Sequence, residues 1–319
     1  EQIELTQNIT KNVALGFGET ILDEVVITGE RADVNVTSVE MSVEKMDIQL
    51  VKKMPSLMGE ADIIRSIQLL PGVTTVGEGA TGFNVRGGNV DQNLILLDDS
   101  PVFSSSHLFG FFSVFNADAI KSTKLYKGGM PAKYGGRLSS VLDIRQKEGN
   151  MKKLEVNGGV GLLFSRLTIQ APIVKNKASF ILSGRRSYFD LFFPLAKNET
   201  IKDTRLYFYD LNGKVNWIIN DKNRIYLAGY NGSDVFNLAQ SFSTRWGNTT
   251  GSLRWNHLFS DKLFSNSTLV YSKYDYALGA ETDAFGFDWL ASIENYSAKI
   301  DFTYFLNPKN KIDFGWQST

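Results

Sequence analysis

The residues of this chain that could do chemistry are few, and the most suggestive of them lie in one loop. Ser104, Ser105 and Ser106 precede His107, one of only two histidines in the 319-residue sequence. A serine nucleophile needs a histidine base and an acid that orients the histidine. Neighbouring residues of one loop rarely reach that geometry, and no orienting acid can be assigned by position. We therefore predict that His107 is a hydrogen-bonded loop residue.

Two further patterns could suggest an enzyme. Asp98 and Asp99 form a carboxylate pair, but neighbouring residues of an extended strand point to opposite faces. Gly77, Gly79 and Gly82 have the spacing of a dinucleotide-binding fingerprint, which requires a following helix, whereas a β-rich run follows here. The absence of cysteine removes thiolate metal sites and thiol nucleophiles. We predict no enzyme, no catalytic residue, no metal site and no cofactor.

Overall charge and hydropathy argue against a nucleic-acid-binding protein and against a protein with membrane-spanning helices. The 34 basic and 34 acidic residues balance, so no global field attracts nucleic acid, and we expect no nucleic-acid partner. No apolar run is long enough for a membrane-spanning helix. The sequence starts at Glu1 without a charged-then-apolar leader and stops at Thr319 inside a strand-like pattern. We expect that any secretory signal has been removed and that the chain is a fragment.

The elements that must position these residues are short strands separated by glycine-containing turns. A hairpin is predicted between residues 83–86 and 93–98, around Gly87 and Gly88. A second strand pair is predicted from residues 122–127 and 140–144. These predictions describe a compact β-rich unit.

A helix and a phenylalanine-rich segment complete this unit. Residues 60–70 are predicted to be helical, because their isoleucines follow helical spacing and Pro71 with Gly72 stops the pattern. The segment 103–115 contains several phenylalanines, which we interpret as core; a ligand platform is the alternative.

Together these segments resemble the plug domain of TonB-dependent outer-membrane receptors, over about residues 20 to 150. In that family an Arg-Gly turn precedes an apolar strand ending in Asp and a Pro turn, and a Lys-Gly-x-x-Pro/Ser-x-x-Tyr-Gly segment follows. All of these steps occur here in order. Asp99 stands where the family usually has Gly, and Ser139 with Ser140 replaces a common Gly pair, so we expect a divergent branch.

From Leu154 onward the residues alternate with period two, which predicts long half-buried strands. The predicted polar face includes Lys214, Asn216, Ser297, Lys299 and Asp301. Short turns are predicted at 174–177, 220–223, 260–262 and 307–310, and longer connections near 187–204, 231–247 and 275–289.

Short turns at one end, long loops at the other and aromatic residues near strand ends are typical of a membrane β-barrel. The polar face would then line the lumen. A soluble propeller is the alternative, but a blade packs four short strands where two long ones are predicted here. Only about seven complete strands fit, whereas plugged barrels have about 22, so we expect the native protein to continue beyond Thr319.

The predicted fold class is mostly β: a small α+β plug domain followed by the N-terminal strands of a large antiparallel transmembrane β-barrel of about 22 strands when complete. We assign residues 1–22 to the end of a possible N-terminal β domain and residues 23–45 to a TonB-box segment and linker. Residues 46–150 are assigned to the plug domain, and residues 151–319 to the first seven or eight barrel strands.

The resemblance implies TonB-dependent uptake of a scarce nutrient across the bacterial outer membrane, with the N-terminus in the periplasm. The TonB box, a strand that a periplasmic energy transducer captures through backbone hydrogen bonds, would consist of Glu24, Val25, Val26, Ile27, Thr28 and Gly29. An ordinary edge strand is the alternative. Arg86 and Arg137 match family arginines that hold the plug to acidic residues of the inner wall; solvated turn arginines are the alternative.

The expected partners are a TonB-type energy transducer, the lipid bilayer and a ligand that the sequence does not identify. An outer-membrane lipoprotein or a larger envelope complex is a further candidate partner. The alternative function keeps the fold and removes the transport: a plugged barrel that acts as a structural or signalling subunit of an outer-membrane complex.

Overall fold

The computed structural model describes residues 42–54, 60–77, 82–239, 241–282, 285–307 and 310–319. All of them belong to one unit, Glu40–Thr319. The predicted TonB box and the possible N-terminal β domain lie outside these residues. The described residues form a plug domain with a mixed sheet and a wall of antiparallel strands. None of the helices in these ranges is long and apolar enough to cross a membrane.

The plug domain is built from short elements. Its described strands are β1 (Val43–Asp47), β2 (Val73–Thr75), β3 (Phe83–Val85), β4 (Asn93–Leu97), β5 (Ser100–Pro101), β6 (Ser106–His107), β7 (Phe112–Ser113), β8 (Ile120–Tyr126) and β9 (Ser140–Gln146). Its described helices are α1 (Ile48–Lys53) and α2 (Ile63–Gln68). The main sheet has the order β1-β8-β9-β4-β5, with β4 parallel to β9 and the other pairs antiparallel.

Helix α2 is the helix that the isoleucine spacing predicts, although it is shorter than residues 60–70. Ile63, Ile64 and Ile67 are fully buried in the main core of the plug domain. Asp62 caps the helix, because its Oδ1 accepts the backbone N–H of Arg65 at 3.1 Å. The helix therefore presents one apolar face to the sheet and ends just before the predicted stop.

The predicted hairpin between β3 and β4 is wrong. Strand β3 pairs with β2, whereas β4 pairs with β9 and β5. A 3-10 turn at Val90–Gln92 separates β3 from β4. Ile95, Leu96 and Leu97 are all buried, and such a continuous apolar run suits the interior of a sheet more than one arm of a hairpin. The second predicted pair, β8 with β9, is confirmed.

The wall consists of long strands that follow one another in chain order. They are β10 (Glu155–Val160), β11 (Phe164–Val174), β12 (Ala178–Ser187), β13 (Arg205–Asn220), β14 (Asn223–Leu238), β15 (Phe242–Ser260), β16 (Leu263–Thr282), β17 (Phe285–Asn307) and β18 (Asn310–Ser318). The described wall thus has nine strands where seven or eight were predicted. One continuous antiparallel sheet excludes four-stranded propeller blades.

The predicted short turns at 174–177, 220–223 and 260–262 are confirmed, whereas residues 308–309 of the fourth lie outside the described residues. The long connection after β12 is also confirmed, and it carries the helix α3 (Glu199–Lys202). The predicted long loops at 231–247 and 275–289 are wrong. Strand β14 continues to Leu238 and β15 begins at Phe242, and β16 and β17 are extended in the same way. The first of these segments is rich in Gly, Asn, Asp and Ser, a composition that is typical of loops. Pairing with equally long neighbours satisfies the backbone groups of both segments and keeps them in the sheet.

The polar face of the wall points to the plug domain, as the alternation predicts. Asp210, Asn212 and Lys214 are buried, whereas Leu211 and Trp217 of the same strand are exposed. This direction follows from the pleat, since successive side chains of a strand lie on opposite faces. The wall therefore offers a row of charged and amide side chains to the plug domain.

Candidate functional site: the buried interface between plug and wall

Charged side chains meet in two buried clusters where the plug domain contacts the wall. The first, the histidine cluster, contains Glu60, His107, Arg185, Asp210 and Asp234. The second, the aspartate turn, contains Asp98 and Asp99 with their cationic partners. Each cluster joins side chains of both parts of the chain.

His107 lies between two carboxylates of the wall. Its Nδ1 donates to Asp234 Oδ2 at 2.6 Å, and its Nε2 donates to Asp210 Oδ1 at 2.7 Å. Asp234 also accepts the backbone N–H of Leu108 at 2.7 Å, and the imidazole stacks on Phe208 with ring centroids 4.4 Å apart. A ring that donates from both nitrogens is an imidazolium, so His107 carries a positive charge here.

Arg185 of the wall joins the same cluster from the opposite side. Its Nε donates to Asp210 Oδ2 at 2.7 Å, and its Nη1 donates to Glu60 Oε1 of the plug domain at 2.9 Å. A third bond runs from Nη2 to the backbone oxygen of Ser113 at 2.8 Å. The side chain of Arg185 is 1 % exposed, so these bonds are formed away from water.

The carboxylates of the histidine cluster have their hydrogen-bond partners within the protein. Tyr230 donates its hydroxyl to Asp210 at 2.7 Å, and Arg166 contacts Glu60 at 3.2 Å, so each carboxylate has several donors. Among the residues that the structure describes, no group of three or more His, Cys, Asp or Glu is arranged to hold a metal ion. The arrangement holds two surfaces together and offers no free nucleophile or base.

The charge of His107 depends on its neighbours. Burial by itself would lower the pKa of this imidazole, but the carboxylates of Asp210 and Asp234 outweigh burial and raise the pKa to about 9. His107 thus remains protonated at neutral pH and contributes a cation to the plug side of the interface.

Raising the pH is expected to loosen the plug domain through His107. Since its folded-state pKa of about 9 lies above the ordinary value of 6.5, the stabilisation is fully present below pH 6.5 and is lost as the pH rises through about 9. The difference corresponds to about 3 kcal/mol. The sequence has no cysteine, so a nitroxide on Ser105→Cys can report the denaturant concentration that mobilises the plug domain between about pH 6 and pH 10.

The control for this measurement is His107→Gln, which keeps a hydrogen-bond donor but has no titrating charge. We expect a lower midpoint at neutral pH in this variant and little change across the alkaline range. An equal alkaline decline in both proteins would show that another group is responsible.

The aspartate turn joins β4 to β5. Leu97 pairs with Ser100, so Asp98 and Asp99 are the two central residues of the hairpin turn, and their φ values are +46° and +71°. This left-handed conformation is the one that a type I′ turn requires. Aspartate tolerates it better than most residues, which explains how Asp99 replaces the usual glycine.

Both aspartates of the turn reach cations. Lys214 Nζ of the wall lies 3.1 Å and 3.2 Å from the two carboxylate oxygens of Asp98. Asp99 is bound by three cations, which are Arg145 of the plug domain at 2.7 Å and 2.9 Å, Arg254 of the wall at 2.6 Å and Lys299 of the wall at 2.8 Å. One carboxylate therefore links the plug domain to two wall strands.

These contacts set the protonation of Asp99. Burial alone would raise the pKa of this carboxyl group, but the charges of its three cations outweigh burial and hold the pKa well below its usual range. Asp99 is therefore ionised at any pH at which the protein would normally work.

The two arginines that the resemblance singles out lie elsewhere. Arg86 is exposed, and its Nη2 donates to Ser42 Oγ at 3.0 Å; its φ of +49° places it in the turn after β3. Arg137 is exposed and donates to the backbone oxygen of Gly136 at 2.9 Å. The structure does not bring them to the described strands of the wall, and their anchoring role stays a prediction.

Sequence reasoning placed Lys214 and Lys299 on the inward face but missed the ion pairs that form the interface. The family resemblance suggested arginines on the plug and acids on the wall, whereas Arg185, Lys214, Arg254 and Lys299 of the wall bind acids of the plug domain. His107 is hydrogen-bonded, as predicted, but it lies in the short strand β6 and is a buried cation between wall carboxylates. The sequence did contain one indication of this interface, because the alternation along β13 places the charged side chains of Asp210 and Lys214 on the inward face.

The phenylalanine-rich segment is divided between two environments. Phe112 and Phe115 are buried in the core, as predicted. Phe109 and Phe111 are exposed, and the ring of Phe109 lies 4.9 Å from that of Trp246 of the wall. The core interpretation therefore holds for only part of the segment.

Comparison with known proteins agrees with this architecture. Residues 36–140 match the family model described as TonB-dependent Receptor Plug Domain. The match contains β1 to β8 and, from the two buried clusters, Glu60, Asp98, Asp99 and His107. A search of curated protein sequences found no match. The matched family is one of receptors and not of enzymes.

Solved structures share the fold of the plug domain and the wall. A mutant of the ferric enterobactin receptor PfeA from Pseudomonas aeruginosa has 16% identity and a TM-score of 0.64, over 88% of this chain and 49% of that chain. The siderophore receptor PirA from Acinetobacter baumannii has 15% identity and a TM-score of 0.60, over 85% and 46%. The copper transporter OprC has 12% identity and a TM-score of 0.64, over 86% and 45%.

The chain spans about half the length of these solved receptors. At such low identity the likeness establishes the fold alone. The predicted fold class, a plug domain followed by antiparallel barrel strands, is confirmed.

Proposed function

This chain carries the plug domain of the TonB-dependent receptor family, and we propose that it takes part in active uptake of a scarce nutrient across a bacterial outer membrane. The observation that supports this proposal is a plug domain held to the polar face of a β wall by buried ion pairs. A lumen filled in this way does not conduct, so passage of a substrate requires the plug to be rearranged. The solved relatives include a receptor for ferric enterobactin and a copper transporter, which supports a nutrient as substrate.

The rearrangement is proposed to start from the periplasm. Residues 24–29 would add as a strand to a TonB-type energy transducer, since strand addition needs backbone donors and acceptors and little side-chain specificity. The first described strand after them, β1, is an edge strand that pairs only with β8 among the described strands. A pull on the N-terminal segment would therefore reach an edge strand of the plug sheet, which is held by a single described neighbouring strand.

The remaining proposed partners follow from the same reading. The wall would lie in the outer membrane with the N-terminus in the periplasm, and an outer-membrane lipoprotein or a larger envelope complex is a further candidate partner. Arg86 and Arg137 are proposed to contact acidic residues outside the described part of the chain. Their exposed positions leave both guanidinium groups accessible for such contacts.

Val26→Pro is expected to abolish energised uptake by the full-length protein. Proline removes one backbone donor and fixes φ, so the segment can no longer pair fully with a transducer strand. Val26→Ala keeps the backbone and should retain uptake. The measurement is growth on the transported nutrient at matched outer-membrane levels of the two variants, together with surface binding of that nutrient, which both variants should retain.

The alternative function, a structural or signalling subunit, makes a different prediction. Such a subunit would not depend on capture of residues 24–29, so Val26→Pro would keep the full phenotype of the native protein. Equal function of the two variants would remove the transport proposal and leave the fold assignment in place.

A further inference from the structure

The face of the wall that points away from the plug domain has the pattern of a membrane-facing surface. Its exposed apolar residues form a band that includes Leu211, Leu227, Leu253 and Leu269. Aromatic residues bound the band, with Trp217 and Trp255 on the side of the short turns and Tyr209 on the opposite side, while Tyr271 and Tyr296 lie within the band in the row of Gly251. Apolar bands between aromatic girdles mark the hydrocarbon region around a β-barrel.

A hollow of about 420 Å³ opens on this face at the level of Tyr209. Cross-strand pairs place Tyr209 beside Ser233, Ser233 beside Gly247, and Gly247 beside Asp275, so these four residues lie in one row. Serine and glycine are short, which leaves a depression between Tyr209 and Asp275. A Cβ at Gly247 would lie 2.5 Å from the backbone oxygen of Gly232, so a larger residue cannot close the depression without displacing the backbone.

Arg245 stands at the rim of this hollow and supplies its charge. Its Nε donates to Ser233 Oγ at 3.4 Å, and no carboxylate of the described residues forms a salt bridge with it. Asp275 on the other rim is already neutralised, because Lys273 binds it at 2.9 Å and also lies 3.7 Å from Glu294. The hollow therefore presents an exposed guanidinium group on one rim, and the carboxylate on the other rim is paired with Lys273.

We propose that the hollow binds the phosphate-bearing headgroup of a lipid in the outer leaflet of the membrane. A guanidinium fork can donate two hydrogen bonds to one phosphate, and the hollow lies at the aromatic girdle, where headgroups are located. Asn231 and Thr249 line the same hollow and supply neutral hydrogen-bonding groups.

The surface below the hollow suits the acyl chains of such a lipid. Gly213 pairs with Gly229 and Gly229 pairs with Gly251, so a smooth strip crosses three strands within the apolar band. A Cβ at Gly251 would meet nothing within 4 Å, which shows that this strip is open and not crowded by neighbouring atoms. The inference rests on the proposed position of the wall in the outer membrane but not on nutrient uptake.

Lipid binding can be measured by native mass spectrometry of the full-length protein in detergent, with bisphosphorylated lipid A as the probe. We expect the native protein to bind one lipid A tightly and Arg245→Gln to bind it at least about tenfold more weakly, as for the loss of a charge-assisted hydrogen bond. Dephosphorylated lipid A should bind the native protein as weakly as lipid A binds the variant. Removal of the phosphates should have little further effect in Arg245→Gln.

The matched control is Lys262→Gln, which removes an exposed cation of the short turn between β15 and β16, at the opposite end of these strands from the hollow, and it should leave lipid binding unchanged. Equal binding by the native protein and Arg245→Gln would overturn the proposal. So would phosphate removal that weakens both proteins equally, displacement of lipid A by millimolar inorganic phosphate, or an Arg245-dependent dimer that forms in place of lipid binding. None of these readouts depends on uptake, so the test of Val26 is separate.

Discussion

Arg185→Met is expected to release the plug domain from the wall in the full-length protein. The substitution keeps an unbranched side chain but leaves the buried carboxylates of Asp210 and Glu60 short of a cation. Breaking a buried ion pair by removing one partner typically costs about 3 to 5 kcal/mol, because the remaining charge is buried without compensation. The nitroxide at Ser105→Cys should then become mobile at a much lower denaturant concentration, and cells should become more permeable to large hydrophilic antibiotics.

The neighbouring residue provides the control for this experiment. Arg186 is directed away from the cluster, where it forms an exposed pair with Asp190 at 2.8 Å. Exposed pairs contribute little, so Arg186→Met should behave like the native protein. If Arg185→Met and Arg186→Met gave the same midpoint and the same permeability, the histidine cluster would not hold the plug domain.

Asp99→Asn is expected to have the second large effect. Asparagine tolerates the left-handed conformation of the turn and nearly preserves the shape of the side chain, so the change isolates the charge. Without the carboxylate, the three cations around position 99 repel one another in a partly buried site. We expect a loss of about 3 kcal/mol in the stability of the docked plug domain, measured from the same nitroxide midpoint.

The variant Asp91→Asn serves as a control, since Asp91 is an exposed carboxylate of the plug domain. It should leave the midpoint unchanged. Because the pKa of Asp99 is held well below its usual range, its contribution is present above the ordinary aspartate pKa and is lost only as the pH falls through the folded-state pKa. A midpoint of the native protein that fell steeply in mildly acidic solution, with Asp99→Asn unaffected, would contradict this assignment.

The polar character of the interface suits a plug that must move. Burying charges costs desolvation energy, so a docked ion pair is often no more stabilising than an apolar contact of the same size. When the plug is displaced, however, its aspartates and the lysines and arginines of the wall regain water. Apolar surfaces exposed in the same step would have no such compensation. Buried ion pairs thus hold the plug in place while keeping the displaced state accessible.

Local patterns were enough to determine most of the elements. The spacing of Ile63, Ile64 and Ile67 predicted a helix because helical periodicity is a property of neighbouring residues. The alternation along β13 and β17 predicted which side chains turn inward, since the pleat fixes this direction whatever the strand packs against. The hairpin between β3 and β4 failed because glycines can mark a turn without specifying which strands pair.

The pairing of charges was decided only by the tertiary structure. Lys299 and Asp99 are 200 positions apart, and nothing near either residue indicates the other. His107 reads as a loop residue in the sequence, yet two wall aspartates surround it and make it a cation. The strand that carries a side chain sets the direction in which the side chain points. Its ion-pair partner is set by whichever surface the completed fold packs against that strand. A buried charge depends on that partner for its stability, so these residues acquire their roles only when the plug domain and the wall meet.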